Sequence, residues 1–282
     1  MHADQLTDAV AFHAEGPVWC AAWGGLRWVD MLAGDVLALG DDGQISRRHV
    51  GLVAAAIRPR RLGGAVLALE RGFALEASDR TLTRLPPVWS DATVRFNDGG
   101  CDPRGGFLCG SMAYDERSGA GSLYCLTADG TVLTVLENVT VSNGIDWSPG
   151  GELVYYVDTA TGRIDVFDDD PVLGPINRRL FVEVPTDAGL ADGLTVDVEG
   201  GVWVALYGGG SVRRYGTSGE LDGVIEIGAD KPTACAFGGE ELATLYVTTS
   251  KQGQAFSDDT AAGAIFTCKP GVSGLPVRTY AG

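Results

Sequence analysis

The feature that most constrains this chain is a repeat. A polar residue followed by glycine returns at one place in a recurring pattern of short strands, as Glu15-Gly16, Asn97-Asp98-Gly99, Asn143-Gly144 and Asp192-Gly193. Each opens a stretch in which a glycine-bearing turn leads into an apolar run. Asn143-Gly-Ile-Asp-Trp-Ser-Pro-Gly-Gly-Glu-Leu-Val-Tyr-Tyr-Val-Asp158 lines up with Asp192-Gly-Leu-Thr-Val-Asp-Val-Glu-Gly-Gly-Val-Trp-Val-Ala205. Such a unit cannot bury its sheet faces alone, so its copies must cover one another.

The strand signals come in pairs along the whole chain. Residues 26–30 precede 36–39, and 65–69 precede 81–85. Residues 107–110 precede 122–126 and 132–136, and 153–157 precede 163–167. Residues 202–206 precede 211–215, and 245–249 precede 263–267, which makes six pairs in 282 residues. A period of roughly 45 residues accommodates four short antiparallel strands. Ala128-Asp129-Gly130 and Thr217-Ser218-Gly219 read as hairpin turns. The 41 glycines suit many tight turns. The expected fold is therefore all-β, a six-bladed β-propeller of four-stranded antiparallel blades forming a single domain over residues 1–282. A β-sandwich or barrel is the rival, and it does not readily explain six similar pairs. Loops are expected at 114–121, 168–177 and 251–260. Residues 6–12 are a leftover strand that would complete the last blade and close the ring.

Composition narrows the function classes. The formal charge of −16, from 37 acidic and 21 basic residues, argues against binding nucleic acid or an anionic membrane. No apolar run is long enough to span a bilayer, and no basic-then-apolar start marks a secretory signal. The six cysteines, Cys20, Cys101, Cys109, Cys125, Cys235 and Cys268, form no CxxC pair. Several lie in strand-like apolar runs, where a free thiol packs as a small hydrophobe. Reduced thiols and a cytoplasmic setting are expected.

If the units are radial, Glu15, Asn97, Asn143 and Asp192 converge near one mouth of the axis. Two carboxylates and one or two amide oxygens make a hard oxygen site. Ca²⁺ takes six to eight such ligands, some of them water, and Mn²⁺, Mg²⁺, Zn²⁺ and Fe²⁺ also accept oxygen donors. Without an ion, Glu15 and Asp192 would repel, and the pKa of at least one would rise. The plainer alternative is that Asn-Gly and Asp-Gly merely form turns. Arg95, just before Asn97, offers a guanidinium to substrate oxygens or developing negative charge; its alternative is a salt bridge to a local acid. Asp98 and Asp146 read as turn-forming or channel carboxylates. His13 lies near Glu15 in sequence but reads as a stacking or surface residue. Neither an HExxH zinc pattern, a GxSxG elbow nor a P-loop is present, and Gly208-Gly209-Gly210 reads as a turn.

The chain resembles the SMP-30/gluconolactonase/regucalcin-like (LRE-like) family over nearly its full length. The resemblance rests on the order and spacing of short pieces. They are Glu15-Gly-Pro-Val-Trp19, Trp28-Val-Asp30, Arg95-Phe-Asn-Asp-Gly99, Gly110-Ser-Met112, Gly121-Ser-Leu-Tyr124 and Ser142-Asn-Gly-Ile-Asp146. Tyr156-Val-Asp158, Asp192-Gly-Leu194, Leu245-Tyr-Val-Thr-Thr249 and Ala262-Gly-Ala-Ile-Phe266 complete the set. The family implies a six-bladed propeller holding one divalent metal in its channel. Matched residue by residue, it implies Glu15, Asn143 and Asp192 as metal ligands, Arg95 and Asn97 as substrate contacts, and Asp192 as the general acid or base. It departs after Met112, where Ala113-Tyr-Asp-Glu-Arg117 is compact. The expectation is a metal-dependent hydrolase opening a small lactone, most readily a sugar (aldono-) lactone, with Asp192 and Arg95 as catalytic residues. The partner is that small molecule, and the state a monomer or small homo-oligomer. Two alternatives stand beside it, a non-catalytic calcium- or ligand-binding propeller and a protein-interaction scaffold.

Overall fold

The fold is described from a computed structural model over residues 1–253 and 260–282. The chain opens with β1 (Asp4–Gln5) and then lays down one blade after another. Blade one holds β2 (Ala14–Cys20), β3 (Gly25–Asp30), β4 (Asp35–Leu39) and β5 (Ile45–His49). Blade two holds β6 (Ala54–Pro59), β7 (Ala65–Leu69), β8 (Gly72–Glu76) and β9 (Leu82–Pro87). Blade three holds β10 (Val94–Cys101), β11 (Phe107–Ala113), β12 (Gly121–Leu126) and β13 (Val132–Val139). Blade four holds β14 (Ser142–Trp147), β15 (Leu153–Asp158), β16 (Arg163–Asp170) and β17 (Gly174–Glu183). Blade five holds β18 (Leu190–Val196), β19 (Val202–Tyr207), β20 (Ser211–Tyr215) and β21 (Leu221–Glu226). Blade six holds β22 (Pro232–Gly238), β23 (Thr244–Thr249) and β24 (Ile265–Cys268), with β1 as its outer strand.

These six four-stranded antiparallel sheets form the expected propeller. The innermost strands touch in sequence around the axis, β2 to β6, β10, β14, β18, β22 and back to β2. The core lies between blades. Leu26, Trp28, Leu37, Tyr246 and Ile265 join blades six and one, and Leu108, Ile145, Trp147 and Tyr156 join three and four. Each fully buried leucine or aromatic contributes about 1.5–3 kcal/mol relative to exposure, so every blade depends on its neighbours. The six cysteines are free thiols.

Several expectations shift in detail. The outer strand that closes the ring is Asp4–Gln5, paired with Thr267 and Phe266, and residues 6–12 form no strand but add single bonds, such as Leu6 to Ile265 and Ala11 to Gly263. Residues 81–85 fall in the fourth strand of blade two, and β8 supplies the third strand that the sequence pattern missed. Most of 168–177 is the end of a long β16–β17 hairpin, paired as far as Asp170 and Gly174, so it is not an irregular insertion. Residues 114–120 form a loop as expected. The loop read at 251–260 lies largely outside the described residues.

One irregularity repeats in every blade. Each innermost strand slips register at the same phase, at Glu15/Val18, Ala54/Ala56, Phe96/Gly99, Ser142/Ile145, Ala191/Leu194 and Pro232/Ala234. A bulge leaves residues outside the ladder and re-aims their side chains. The polar–glycine pairs sit at these bulges, so the turn reading of Asn143-Gly144 and Asp192-Gly193 is incorrect. Neither glycine has a positive φ. They are glycine because the next blade is too close: a Cβ on Gly144 would lie 2.4 Å from the Leu194 nitrogen, and one on Gly193 2.5 Å from the Ala234 Cβ.

The far end of the channel is crossed by the C-terminal segment. Gly274 donates to the Leu242 carbonyl, Tyr280 to that of Pro59 and Ala281 to that of Gly105. Arg278 reaches Asp146 at 3.3 Å and the Ser148 carbonyl at 3.1 Å. Asp146 thus serves as an anchor at the closed mouth, not as part of the open one.

Candidate metal and substrate site

The open mouth leads into a pocket of about 320 Å³ whose walls include Glu15, Arg95, Asn97, Asn143 and Asp192. The bulges bring these residues together from blades one, three, four and five. All five are buried, at 2 to 6% exposure.

Glu15 Oε2 accepts the Gly16 N–H at 3.1 Å. Burial, followed by the charges of Asp192 and Asp98, pushes its carboxyl well above the usual carboxylate range. Asp192 is pushed up in the same way, first by burial and then by Asp98. The adjoining Asn143 amide and the Gly193 N–H offset part of that rise. The repulsion expected from the sequence is therefore built into the channel. Asp98 lies deeper, where one oxygen accepts the Gly99 N–H at 2.7 Å. Burial raises its pKa, and Arg58 opposes that rise.

Among the described residues, two buried oxygens in this cluster have no hydrogen-bond partner, Asn143 Oδ1 and Asp192 Oδ1. An unpartnered buried acceptor costs about 1–3 kcal/mol, and a cation is one group that relieves two at once. Among the described residues, no group of three or more His, Cys, Asp or Glu side chains is placed to hold a metal. The set here differs in kind, with two carboxylates and one amide oxygen. Hard oxygen donors of this sort, with water completing the shell, fit a divalent cation such as Ca²⁺.

Arg95 and Asn97 form one unit. Arg95 Nη1 donates to Asn97 Oδ1 at 2.6 Å and to the Phe96 carbonyl at 3.0 Å, and it touches Met31 Sδ at 3.2 Å. Asn97 Nδ2 donates to the Ser142 carbonyl at 2.7 Å. Both ends of the Asn97 amide are therefore engaged, whereas Arg95 Nε has no partner. The guanidinium lies 5.7 Å from the Tyr114 ring centroid, and the Tyr114 hydroxyl bonds Glu70 at 2.8 Å. Among the described residues Arg95 makes no salt bridge: its contacts are an amide, a carbonyl, a thioether and a ring.

His13 departs from the surface role expected of it. It is 5% exposed, its Nδ1 is 2.7 Å from Ser250 Oγ, and its Nε2 is 3.9 Å from Glu15 Oε1. Burial, with help from Arg95 and Lys231, lowers its pKa to about 3, so the ring is neutral. Lys231 was also missed. Its ammonium lies 5.1 Å from the Tyr207 ring centroid and donates to the Gln252 carbonyl at 2.6 Å.

A signal for the missed wall exists one strand further along each repeat. Leu69, Ser111, Asp158, Leu206 and Thr249 pair opposite the residue where each bulge begins, and in blade one Asp30 pairs opposite Ala14, one residue earlier. The residues that follow them are Met31, Glu70, Met112, Thr159, Tyr207 and Ser250. All but Glu70 line the pocket or touch a residue that does, and Glu70 stands one contact further out, bonded to Tyr114, whose ring packs beside Arg95. In blades one and four the preceding aspartate also clamps the loop that feeds the inner strand. Asp30 accepts the Phe12 and His13 N–H groups, and Asp158 those of Thr140 and Val141, at 2.9–3.0 Å.

The family model described as the SMP-30/Gluconolactonase/LRE-like region matches residues 13–251. The chain belongs to this family. Within the SMP-30/gluconolactonase family it is 36% identical to regucalcin of Sus scrofa over 284 aligned positions, covering 95% of this chain and 94% of the relative. Among solved structures it matches a calcium-binding protein, regucalcin, from Agrobacterium tumefaciens with a TM-score of 0.92. The identity is 26%, over 99% of this chain and 97% of that one. It also matches a luciferin-regenerating enzyme with a TM-score of 0.89 and 28% identity, over 96% of both chains.

Proposed function

We propose that this propeller is a divalent-metal-dependent hydrolase that opens a small lactone, most readily a sugar (aldono-) lactone. The observation that carries the reading is the pair of unpartnered buried oxygens, Asn143 Oδ1 and Asp192 Oδ1, beside buried Glu15 in one pocket. Family membership supports the same reading. Glu15, Asn143 and Asp192 would hold the ion, which could be Ca²⁺, Zn²⁺, Mn²⁺, Mg²⁺ or Fe²⁺. When bound, it supplies charge that polarises the lactone carbonyl and acidifies water.

The remaining steps fall to the chain's own residues. Arg95 and Asn97 orient the substrate, and the free Arg95 Nε–H is a donor for oxygen that becomes negative as water adds to the carbonyl carbon. Asp192 accepts the proton that water loses. It returns that proton to the ring oxygen as the carbon–oxygen bond of the ester breaks. The raised carboxylate pKa values suit a site that is quiet without its ion. The site recognises a small molecule, with no nucleic-acid or membrane partner. Among the described residues no helix is long and apolar enough to cross a membrane. The free thiols support a reducing, cytoplasmic setting.

The test is a metal-by-substrate screen on chelated protein, with five- and six-membered aldonolactones. Hydrolysis restored by one divalent ion and abolished in Glu15→Gln is the expected result. At saturating metal and substrate, Asp192→Asn should lower kcat by about 10²–10⁴-fold, and an undiminished kcat would remove its assigned role. The calcium-binding regucalcin among the structural matches favours a second reading, a non-catalytic calcium-binding propeller. Tight metal binding without hydrolysis of any lactone would select it.

A further inference from the structure

We propose that Thr159 is a positioning residue that decides which end of the Asn143 amide faces the metal site. An amide has one oxygen that can bind a cation and one NH₂ group that cannot. Asn143 therefore contributes a ligand in only one of its two flip states. Thr159 Oγ1 accepts the Asn143 Nδ2 hydrogen at 3.0 Å, and its own hydrogen is committed to the Ala191 carbonyl at 2.7 Å. A flipped Asn143 would set Oδ1 against the lone pairs of that hydroxyl and put an NH₂ group where Oδ1 now stands buried and unpartnered. The committed hydroxyl excludes that state and leaves Oδ1 as the free, buried end of the amide among the described residues.

The hydroxyl is itself fixed from two sides. The Thr159 N–H donates to the Val141 carbonyl at 3.0 Å, and the neighbouring Asp158 carboxylate holds the N–H groups of residues 140–141. Ala191, which receives the Thr159 hydrogen, is the residue before Asp192. One hydroxyl thus sets the amide of blade four and ties it to the backbone carrying the carboxylate of blade five. The equivalent residues in the other blades are Met31, Glu70, Met112, Tyr207 and Ser250, so only blades four and six place a small hydroxyl at this phase. In blade six the Ser250 hydroxyl contacts His13 instead.

This inference rests on the metal-site reading above, and its readout is metal affinity, not turnover. Ca²⁺ and Mn²⁺ binding to the chelated full-length protein would be measured by calorimetry, with unfolding of the chelated form followed alongside. Thr159→Val keeps the shape and removes the hydroxyl. It should weaken the dissociation constant by about 10–100-fold, and Thr159→Ser should restore it to within about threefold. Asn143→Asp supplies oxygen at both ends and makes orientation irrelevant, so adding Thr159→Val to that variant should change affinity by less than about threefold. Wild-type affinity in Thr159→Val, or equal loss in the valine and serine variants, overturns the proposal. So does the same loss from Thr159→Val in the Asn143→Asp background, which also covers a merely destabilising substitution. A wild-type protein that binds neither of these ions, nor Zn²⁺, Mg²⁺ or Fe²⁺, overturns the metal site itself, and this inference with it.

Discussion

At the scale of single residues, the site is held together by tension between charge and burial. Glu15 and Asp192 have ordinary carboxyl values of 4.5 and 3.8, and both rise well above them in the folded chain. A native state whose carboxyls have raised pKa values holds more protons than the unfolded chain over that window. Stability of the metal-free protein therefore falls as pH rises from about 4–5 toward neutrality. Glu15→Gln removes one such charge. The melting temperature of chelated Glu15→Gln should exceed that of chelated wild type, and the gap should widen between about pH 5 and pH 7. Saturating divalent ion should close or reverse that gap, and a gap independent of pH would contradict it. The ligand candidates were legible because they are polar groups at one repeat phase. His13, Lys231 and Thr159 were not, because their roles depend on atoms of other strands. The Ser250 hydroxyl beside His13 is 237 residues away in sequence, and no local pattern reports such an approach.

Among the elements, the inner-strand bulge does the organising. Strand pairs and their period were readable from apolar alternation and turn glycines, and the radial arrangement followed from the need to cover each sheet. For Gly144 and Gly193 the sequence left turn formation open as the plainer alternative. Their small size answers to the neighbouring blade, a tertiary demand that resembles turn chemistry in sequence. Gly144→Ala should accordingly destabilise the protein by about 1–3 kcal/mol, as overpacking does, because its Cβ would meet the backbone of β18. Denaturant unfolding at saturating chelator would measure it, and a loss below about 0.5 kcal/mol, within the range of ordinary surface changes, would show that the strands can separate cheaply. The missed β8 has a related cause. Gly72-Phe-Ala-Leu-Glu76 is short and follows β7 closely, so the two read as a single signal.

For the whole molecule, closure is made by very little chain. Asp4 and Gln5 pair with Thr267 and Phe266, and flanking bonds run from Ala3 to Glu226 and from Leu6 to Ile265. Each backbone hydrogen bond contributes about 0.5–1.5 kcal/mol net. Deleting residues 1–7 should therefore lower the melting temperature by about 5 °C or more, given a few kcal/mol lost. It should also bare the edge of β24 to pairing between molecules. Calorimetry and light scattering on the truncated chain would check both, and an unchanged melting temperature would mean that the last blade needs no such strand.

That outer strand has a consequence for biogenesis. Strand β1 precedes every blade in the sequence yet pairs with the last, so it must wait, unpaired, until β24 has been translated. Domains usually settle as they are made, but this ring cannot lock until its sixth blade has emerged.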